Sequence, residues 1–224
     1  MEKTKQAVEG NSDTTDEPPL PEHQVPFEKD GVPTDKAQRN FTDPDSRLMK
    51  KGGEFLQGYN CQTVVDDAYQ IILAQAVTNQ APDQEHLQPL MHQMLQNCGA
   101  TPEHFSADAG YLSESNLEYC DRIGLNAYIS TGRQKHGSNS SGQDASKPKG
   151  GARMQAMRDK LATDDGKAIY AQRKAIVEPP YGHIKEARGI RRFLLRGLDA
   201  VQAEWAWICT GHNLLKLFRG AQTV

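Results

Sequence analysis

The chain has 224 residues and a formal net charge of −3, which is long enough for one domain with a real core plus a tail. That charge gives no overall sign of a nucleic-acid partner. The longest apolar runs are only a few residues, which excludes a membrane span. The four cysteines are scattered without a CxxC pair, and no signal peptide is recognisable, so we expect a reduced, cytoplasmic protein.

Charge is distributed unevenly along the chain. Residues 1–30 carry eight acidic residues and three lysines, with four prolines and almost no apolar pattern. That composition cannot bury enough surface to order itself, so we predict a disordered, acidic, proline-rich linker over residues 1–37. From Arg173 to Val224 there are nine Lys/Arg and four Asp/Glu, which indicates a basic tail on a slightly acidic chain.

Five runs have the character of β-strands. The first is "RNFTDPDSRLMKK" (39–51), a short strand beside an acidic turn. "GYNCQTVVDD" (58–67) and "YQIILAQAVTN" (69–79) are adjacent and predict a hairpin. "HFSADAGY" (104–111) predicts a short strand that ends at Asp108, and "NAYIST" (126–131) predicts the last one.

Helical segments alternate with the later strands and then take over. Residues 83–99 have apolar side chains at helical spacing, with Asp83 as N-cap and Gly99 as stop, and residues 113–124 form a helix capped by Ser113. The Gly/Ser/Lys-rich stretch 132–151 predicts a flexible loop. The tail contains four helical segments, the third restarted at the two prolines: 152–162, 170–177, 178–189 and 198–218.

The order β-β-β-α-β-α-β followed by helices predicts one α/β domain over residues 38–220. Three antiparallel strands followed by alternating α/β give a mixed sheet with helices packed on it. This is the strand order of a ribonuclease H-like fold, in which the fourth strand lies beside the first.

Three acidic residues fall where such a sheet would bring them together. Asp43 lies on or just after the first strand, and Asp108 ends the fourth. Glu178 starts a tail helix, because Pro179 and Pro180 suit a first helical turn. Clustered carboxylates repel one another unless divalent cations bind between them. Local alternatives remain: an Asp-Pro turn at Asp43, a helix cap at Asp108, and an exposed helix-start acid at Glu178.

Two further choices are open around these acids. Asp45 is two residues from Asp43 and points to the same face of a strand, so either could be the first ligand. Cys209 and His212 are spaced i, i+3, but two ligands without a second pair do not make a zinc site, and we expect His212 to be a core histidine.

A basic stripe follows the two prolines. It consists of Lys185, Arg188, Arg191 and Arg192, which recur every three or four residues and would share one helical face. Such a stripe can be a solvated surface. Beside a carboxylate site it favours contact with DNA phosphates.

Several long motifs together resemble one known family. "NFTDPDSR", "GYNCQTVVD", "SADAGY", "QRKAIVEPPYGHIK" and "EWAWICTGHNLLKLFR" occur in the order found in the catalytic domain of DDE-type insertion-sequence transposases from bacteria. The resemblance covers roughly residues 37–220. It implies that Asp43, Asp108 and Glu178 are a metal-binding triad for two Mg²⁺ (or Mn²⁺) ions, and that Lys185 contacts a DNA phosphate.

The resemblance also implies an activity and its partners. We expect metal-dependent phosphodiester hydrolysis and strand transfer on double-stranded DNA, in the bacterial cytoplasm near the nucleoid, with no membrane partner. A homo-oligomer, or mixing with full-length subunits, is the expected assembly.

Two departures from the family pattern affect this expectation. In "EPPYG", Pro180 and Tyr181 replace the usual β-branched residue and phenylalanine. The helical region that binds terminal repeats is not recognisable before the acidic linker, so we expect a truncated transposase with weak, sequence-independent DNA binding. The alternatives are a non-catalytic DNA-binding or regulatory fragment, and a domesticated metal-dependent nuclease.

Overall fold

The computed structural model describes residues 40–51, 53–132 and 151–221. The predicted linker at 1–37 lies outside the described residues, and so does the predicted flexible loop at 132–151 apart from its two end residues. Everything below concerns the described part of the chain.

The described residues contain six strands and five α-helices. The strands are β1 (Arg47–Lys51), β2 (Glu54–Gly58), β3 (Asn60–Val65), β4 (Ile72–Thr78), β5 (Phe105–Ala107) and β6 (Ala127–Ile129). The helices are α1 (Leu87–Cys98), α2 (Glu114–Arg122), α3 (Ala152–Ala162), α4 (Asp164–Gly182) and α5 (Leu198–Ala221). Strand β2 was not predicted from the sequence.

The first strand begins later than predicted. Asp43 lies in a turn, and β1 starts four residues after it, at Arg47. The carbonyl oxygen of Asp43 accepts hydrogen bonds from the backbone N–H of Ser46 at 3.1 Å and from its hydroxyl at 2.8 Å. An Asp-Pro sequence favours such a turn. Among the described residues, Asp43 therefore precedes the first strand instead of lying on it or just after it.

The hairpin of β3 and β4 confirms the prediction for residues 58–79. Asn60 pairs with Thr78 and Val64 with Ala74, in an antiparallel ladder. The carboxylate of Asp66 closes the turn by accepting from the backbone N–H groups of Tyr69 and Ile71. The side chain of Asp66 thus supplies hydrogen-bond acceptors for N–H groups of the turn that the backbone does not pair.

The predicted mixed sheet is not formed by the described residues. They form three separate two-stranded ladders: β1 with β2, β3 with β4, and β5 in parallel with β6. We expected β5 to lie beside the first strand. Instead β1 pairs with β2 and forms an antiparallel hairpin with it.

The helices at 83–99 and 113–124 were predicted with nearly correct ends. Gly99 ends α1 with a φ of 67°, a left-handed conformation that suits glycine. Ser113 caps α2, because its hydroxyl accepts from the backbone N–H of Asn116 at 3.1 Å. No helix in the described ranges is both long and apolar enough to cross a membrane.

Helix α4 corrects the predicted break at Glu178. The helix runs without interruption through Pro179 and Pro180 and continues as a π-helical turn, His183–Ala187. Pro179 has no N–H to donate to the carbonyl of Ala175, one turn earlier. The side-chain amide of Gln70 donates to that carbonyl instead, at 3.2 Å, which compensates for the lost helical bond.

Two apolar clusters fill the interior, and β4 contributes to both. The first packs α1, α2, β5 and β6 together and includes the buried residues Leu90, Met91, Leu117 and Ile129. The second packs α5 against β4 and includes Val77, Ile184, Val201, Trp205 and Ile208. Strand β4 is therefore covered from two directions.

A histidine pair joins α5 to the end of α4. The Nε2 of the fully buried His212 lies 2.9 Å from the carbonyl oxygen of Gln70, so this nitrogen carries the donated hydrogen. The Nδ1 of neutral His212 is then an acceptor, and the Nδ1–H of His183 donates to it at 3.1 Å. Burial lowers the pKa of both histidines, and the nearby Arg188 and Lys216 lower it further.

This pair predicts a pH-dependent stability. Because the folded pKa values lie below the ordinary 6.5, the stabilisation is complete above about pH 6.5 and is lost as the pH falls through the lowered folded values. The free energy of unfolding should fall by up to about 1.4 kcal/mol per pH unit for each histidine. His183→Gln keeps a hydrogen-bond donor for His212. It should lower the number of protons taken up on unfolding by about one, and so reduce the slope of the unfolding free energy against pH.

Urea denaturation at pH values from about 7.5 to about 5 measures the effect. His92→Gln, on α1 and away from the pair, is the matched control and should keep the slope of the parent. Equal slopes for His183→Gln and the parent would contradict the assignment of the neutral pair.

Candidate functional site

Asp108 directly follows the half-buried strand β5, and its side chain is exposed. Strand β5 ends at Ala107, and Asp108 is the N-cap of a 3₁₀ turn, Ala109–Tyr111. Its Oδ1 accepts from the backbone N–H of Gly110 at 3.0 Å. The capping alternative is therefore present, but it uses only one carboxylate oxygen.

Asp83 and Asp108 both approach the position that a Cβ on Gly110 would occupy. A Cβ added to Gly110 would lie 2.5 Å from Asp83 Oδ2 and 3.0 Å from Asp108 Oδ1. The glycine thus allows two carboxylates to flank one backbone position. The hydroxyl of Tyr111 is close to both: burial raises its pKa most, and the charges of Asp83 and Asp108 raise it further.

Asp83 does not cap a helix with its side chain, which corrects the prediction. Its Oδ1 accepts from Asn60 Nδ2 at 2.8 Å and from Gln62 Nε2 at 2.6 Å. Gln62 is buried, so its amide needs this acceptor. The carboxylate thereby connects the start of α1 to strand β3.

Two cavities meet at these acids. The central cavity, of about 750 Å³, is lined by all of β3 and β5 and by one face of α4, including Arg173 and Tyr181. The basic cavity, of about 1010 Å³, is lined by Asp83, Asp108 and Ser130 and by four cationic residues: Arg158, Lys167, Arg173 and Lys174.

Arg173 lines both cavities and has an unused donor. Its Nε is buried and has no hydrogen-bond partner in the part of the chain that the structure describes. A buried guanidinium donor without an acceptor is costly. An anionic oxygen, such as one from a phosphate, would satisfy it.

Glu178 lies in the interior of α4 with its side chain exposed. It does not line either cavity. However, Lys167, Lys174 and Glu178 are spaced by seven and four residues, so they share one face of the helix. Glu178 is therefore one turn beyond the lysines that line the basic cavity.

Asp43 and Asp45 hold the beginning of α5. Asp43 Oδ1 accepts from the hydroxyl of Tyr59 at 2.7 Å and from the backbone N–H of Gly197 at 3.1 Å. Asp45 Oδ2 accepts from the backbone N–H of Leu198 at 2.9 Å. Unpaired N–H groups and the helix dipole both favour acids here. Burial and then the bond to Asp43 raise the pKa of Tyr59.

The described residues do not assemble the three-carboxylate metal site that the resemblance implied. No group of three or more His, Cys, Asp or Glu side chains that could hold a metal ion occurs in residues 40–51, 53–132 and 151–221. Asp43 is engaged at α5 and lines neither cavity, so it is not brought to Asp108. In the described part of the chain, Asp43, Asp108 and Glu178 are therefore not gathered into one group.

The predicted basic stripe is not a single helical face. Lys185 lies in the π-helical turn, with its Nζ 5.3 Å from the centre of the Tyr181 ring. Arg188, Arg191 and Arg192 lie in the irregular segment that follows. Arg188 Nη1 donates to the carbonyl of Ile208 at 3.0 Å, and Arg191 pairs with Glu186. The helix ends at Ala187, so helical spacing does not apply beyond it.

One protein-family model matches this chain over most of its length. The model described as "Transposase DDE domain" matches residues 21–214. The chain belongs to this family of transposase domains. No curated protein and no solved structure matched. Members of the family depend in general on divalent metal ions, bind DNA and have nuclease or strand-transferring activity.

Sequence reasoning missed the residues that surround Asp108 in this transposase domain. Asp83 was assigned to a cap, and Arg173 and Lys174 were counted only as part of a basic tail. A signal for the lysines was available, because Lys167, Lys174 and Glu178 recur at helical spacing. It was obscured by the predicted break at Glu178.

The two neighbouring acids should differ in their effect on stability. Asp83→Ala removes the charged acceptor shared by the amides of Asn60 and Gln62, which keep only the neutral oxygens of Ala81 and Asn60 as acceptors. We therefore expect a loss of about 1–3 kcal/mol in the free energy of unfolding. Asp108→Ala loses one exposed capping bond and should cost about 1 kcal/mol or less. Urea denaturation of the two variants measures this, and a larger loss for Asp108→Ala would contradict the assigned roles.

Proposed function

We propose that this transposase domain binds duplex DNA in the basic cavity and carries out the phosphodiester hydrolysis and strand transfer of DNA transposition at Asp108. The observation that carries the proposal is the unpaired, buried Nε of Arg173 beside Asp108. An anion-binding donor next to an exposed carboxylate suits a phosphodiester, which brings the anion and the reacting centre together.

The remaining cations support the same ligand. Arg158, Lys167 and Lys174 also line the basic cavity. They would neutralise the backbone charge of the strand held there, and would stabilise the charge that develops on the phosphate oxygens. Four positive side chains around two carboxylates leave the cavity with a positive balance.

In the proposed reaction, a water molecule, and later a DNA 3′-hydroxyl, attacks phosphorus in line with the leaving oxygen. One P–O bond forms and one breaks. The attacking oxygen gives its proton to the Asp108 carboxylate, the leaving oxygen takes up a proton from water, and no covalent enzyme intermediate is needed. We assign Asp108 to the reacting phosphate and place Glu178 on the neighbouring helical face as the second carboxylate. We do not assign Asp43 to the reaction, because its acceptor oxygens hold α5.

A second candidate function is a DNA-occupying fragment without catalysis. It is favoured by one observation: the described residues contain no three-residue metal group. Such a fragment would bind through the same cavity and would compete with active transposase for DNA. The two candidates differ in cleavage, not in binding.

The first prediction tests cleavage. In a supercoiled-plasmid assay with Mg²⁺ or Mn²⁺, the purified chain should nick DNA, and Asp108→Asn should reduce the rate by at least about 100-fold, because it removes a carboxylate without changing size. Asp43→Asn is the matched control. It should nick DNA at the rate of the parent when both samples contain the same fraction of folded protein.

The outcomes separate the candidates. If Asp108→Asn loses nicking activity and Asp43→Asn retains it, the catalytic proposal is supported. Equal nicking by the parent and Asp108→Asn would overturn it. A parent that binds DNA but never nicks would establish the non-catalytic fragment instead.

The second prediction tests which cations contact DNA. Arg173→Gln combined with Lys174→Gln should make the slope of log K against log salt shallower by about 1 to 2 units, since each phosphate contact contributes about 0.9. The comparison variant carries Arg191→Gln and Arg192→Gln, from the stripe that the resemblance proposed for DNA. A larger change for the comparison variant would place the DNA on the Lys185–Arg192 side instead.

A further inference from the structure

Helix α5 is apolar on two opposite faces. Its inner face carries the buried residues Val201, Trp205, Ile208, Cys209 and His212. Its outer face carries four large apolar side chains that are 60% to 77% exposed: Trp207, Leu214, Leu217 and Phe218. A helix that is apolar all round is normally buried. The described residues cover only the inner face of α5.

The outer face repeats at the spacing of paired helices. Steps of four, three, four, three and four residues separate its members in turn: Ala203, Trp207, Thr210, Leu214, Leu217 and Ala221. Alternating steps of three and four keep apolar residues in one line along a helix, and two such lines pack knobs into holes. Phe218 borders this line beside Leu217. We call these seven residues the α5 seam.

The charge of the α5 seam fits a second copy of itself. An interface between identical surfaces brings equivalent residues together about a two-fold axis, so like charges would repel there. None of the seven residues is charged. The acid that follows Ala203 on the helix, Glu204, accepts from the backbone N–H groups of Leu194 and Leu195 at 2.8 to 3.0 Å. DNA, in contrast, would need cations on this surface.

The exposed area of the seam is sufficient for a weak dimer. An aromatic side chain covers about 150–250 Å², so the exposed fractions of Trp207 and Phe218 correspond to roughly 300 Å². Leu214, Leu217 and the neighbouring Leu194, each at least 60% exposed, add a comparable area. Two copies would then bury about 1,200 Å² in total, the lower end for a specific interface. Exposed apolar patches of this size mark interaction sites.

We propose that the α5 seam binds the α5 seam of a second copy of this chain. The two helices pack side by side about a two-fold axis and bury the aromatic and leucine side chains of both seams. Because the area is small, the association is reversible. No residue of the seam lines either cavity, so the inference does not rest on the proposed function.

Sedimentation equilibrium of the purified full chain, without DNA, tests the proposal between about 1 and about 200 µM. The average mass should rise from that of one chain towards that of two. Leu214→Glu combined with Leu217→Glu places like charges across the seam, so it should raise the dissociation constant at least about tenfold. The matched control, Phe55→Glu, alters an equally exposed apolar residue on β2 and should keep the constant of the parent.

Acrylamide quenching of tryptophan fluorescence locates the interface without a variant. The chain has two tryptophans: Trp205 is buried, and Trp207 is 77% exposed. The core of an interface excludes water, so the quenching constant of the parent should fall by about twofold over the same concentration range. The double glutamate variant should show no such fall. Urea denaturation establishes that this variant is folded.

The results decide the proposal in either direction. A mass that rises with concentration, protection of Trp207 and weaker association of the double glutamate variant support it. A single-chain mass at every concentration would overturn it, and so would a dimer in which Trp207 stays open to acrylamide. An equal loss of association in Phe55→Glu would place the contact elsewhere and would also contradict it.

Discussion

The burial of β4 is the constraint on which the rest of this structure depends. Its residues Ala74, Ala76 and Val77 are at most 4% exposed, so the strand requires cover from two directions. Helix α1 packs on it within the first apolar cluster and α5 within the second. Strand β3, which is hydrogen-bonded to β4, forms one wall of the central cavity. Helix α4 forms another wall, and the π-helical turn and the irregular segment after it connect α4 to α5, which packs on β4. Strand β4 therefore fixes the position of both walls.

Hydrogen bonds from polar side chains then fix the positions of α4 and α5, which the apolar clusters alone do not determine. Gln70 has a φ of 59° and makes three bonds to two helices. Its side-chain amide satisfies the α4 carbonyl freed by Pro179. Its backbone carbonyl accepts from His212 of α5, and its side-chain oxygen accepts from Lys216 of α5 at 2.8 Å. Asp43 and Asp45 perform a comparable task at the other end of α5. These bonds contribute more to orientation than to net stability, because each replaces a bond that the same groups make to water in the unfolded chain.

The functional proposals follow from this arrangement. The continuous α4 presents Arg173 and Lys174 to Asp108, and a helix broken at Glu178 would not keep Glu178 in line with Lys174. The engagement of Asp43 at α5 and the open edges of β3 and β5 are related findings: the position beside β5 where a first strand was expected is a cavity.

The sequence by itself determined the local elements and the family. Periodicity and capping residues identified α1, α2 and α5 and the β3–β4 hairpin, because these depend on residues close together in the chain. Long motifs identified the transposase family. Only the tertiary structure decided whether Pro179 breaks α4, since its lost bond is replaced by Gln70, about a hundred residues earlier. It likewise decided that Asp43 caps α5 and that Asp83 meets Asp108, because each depends on a partner that spacing along the chain does not reveal.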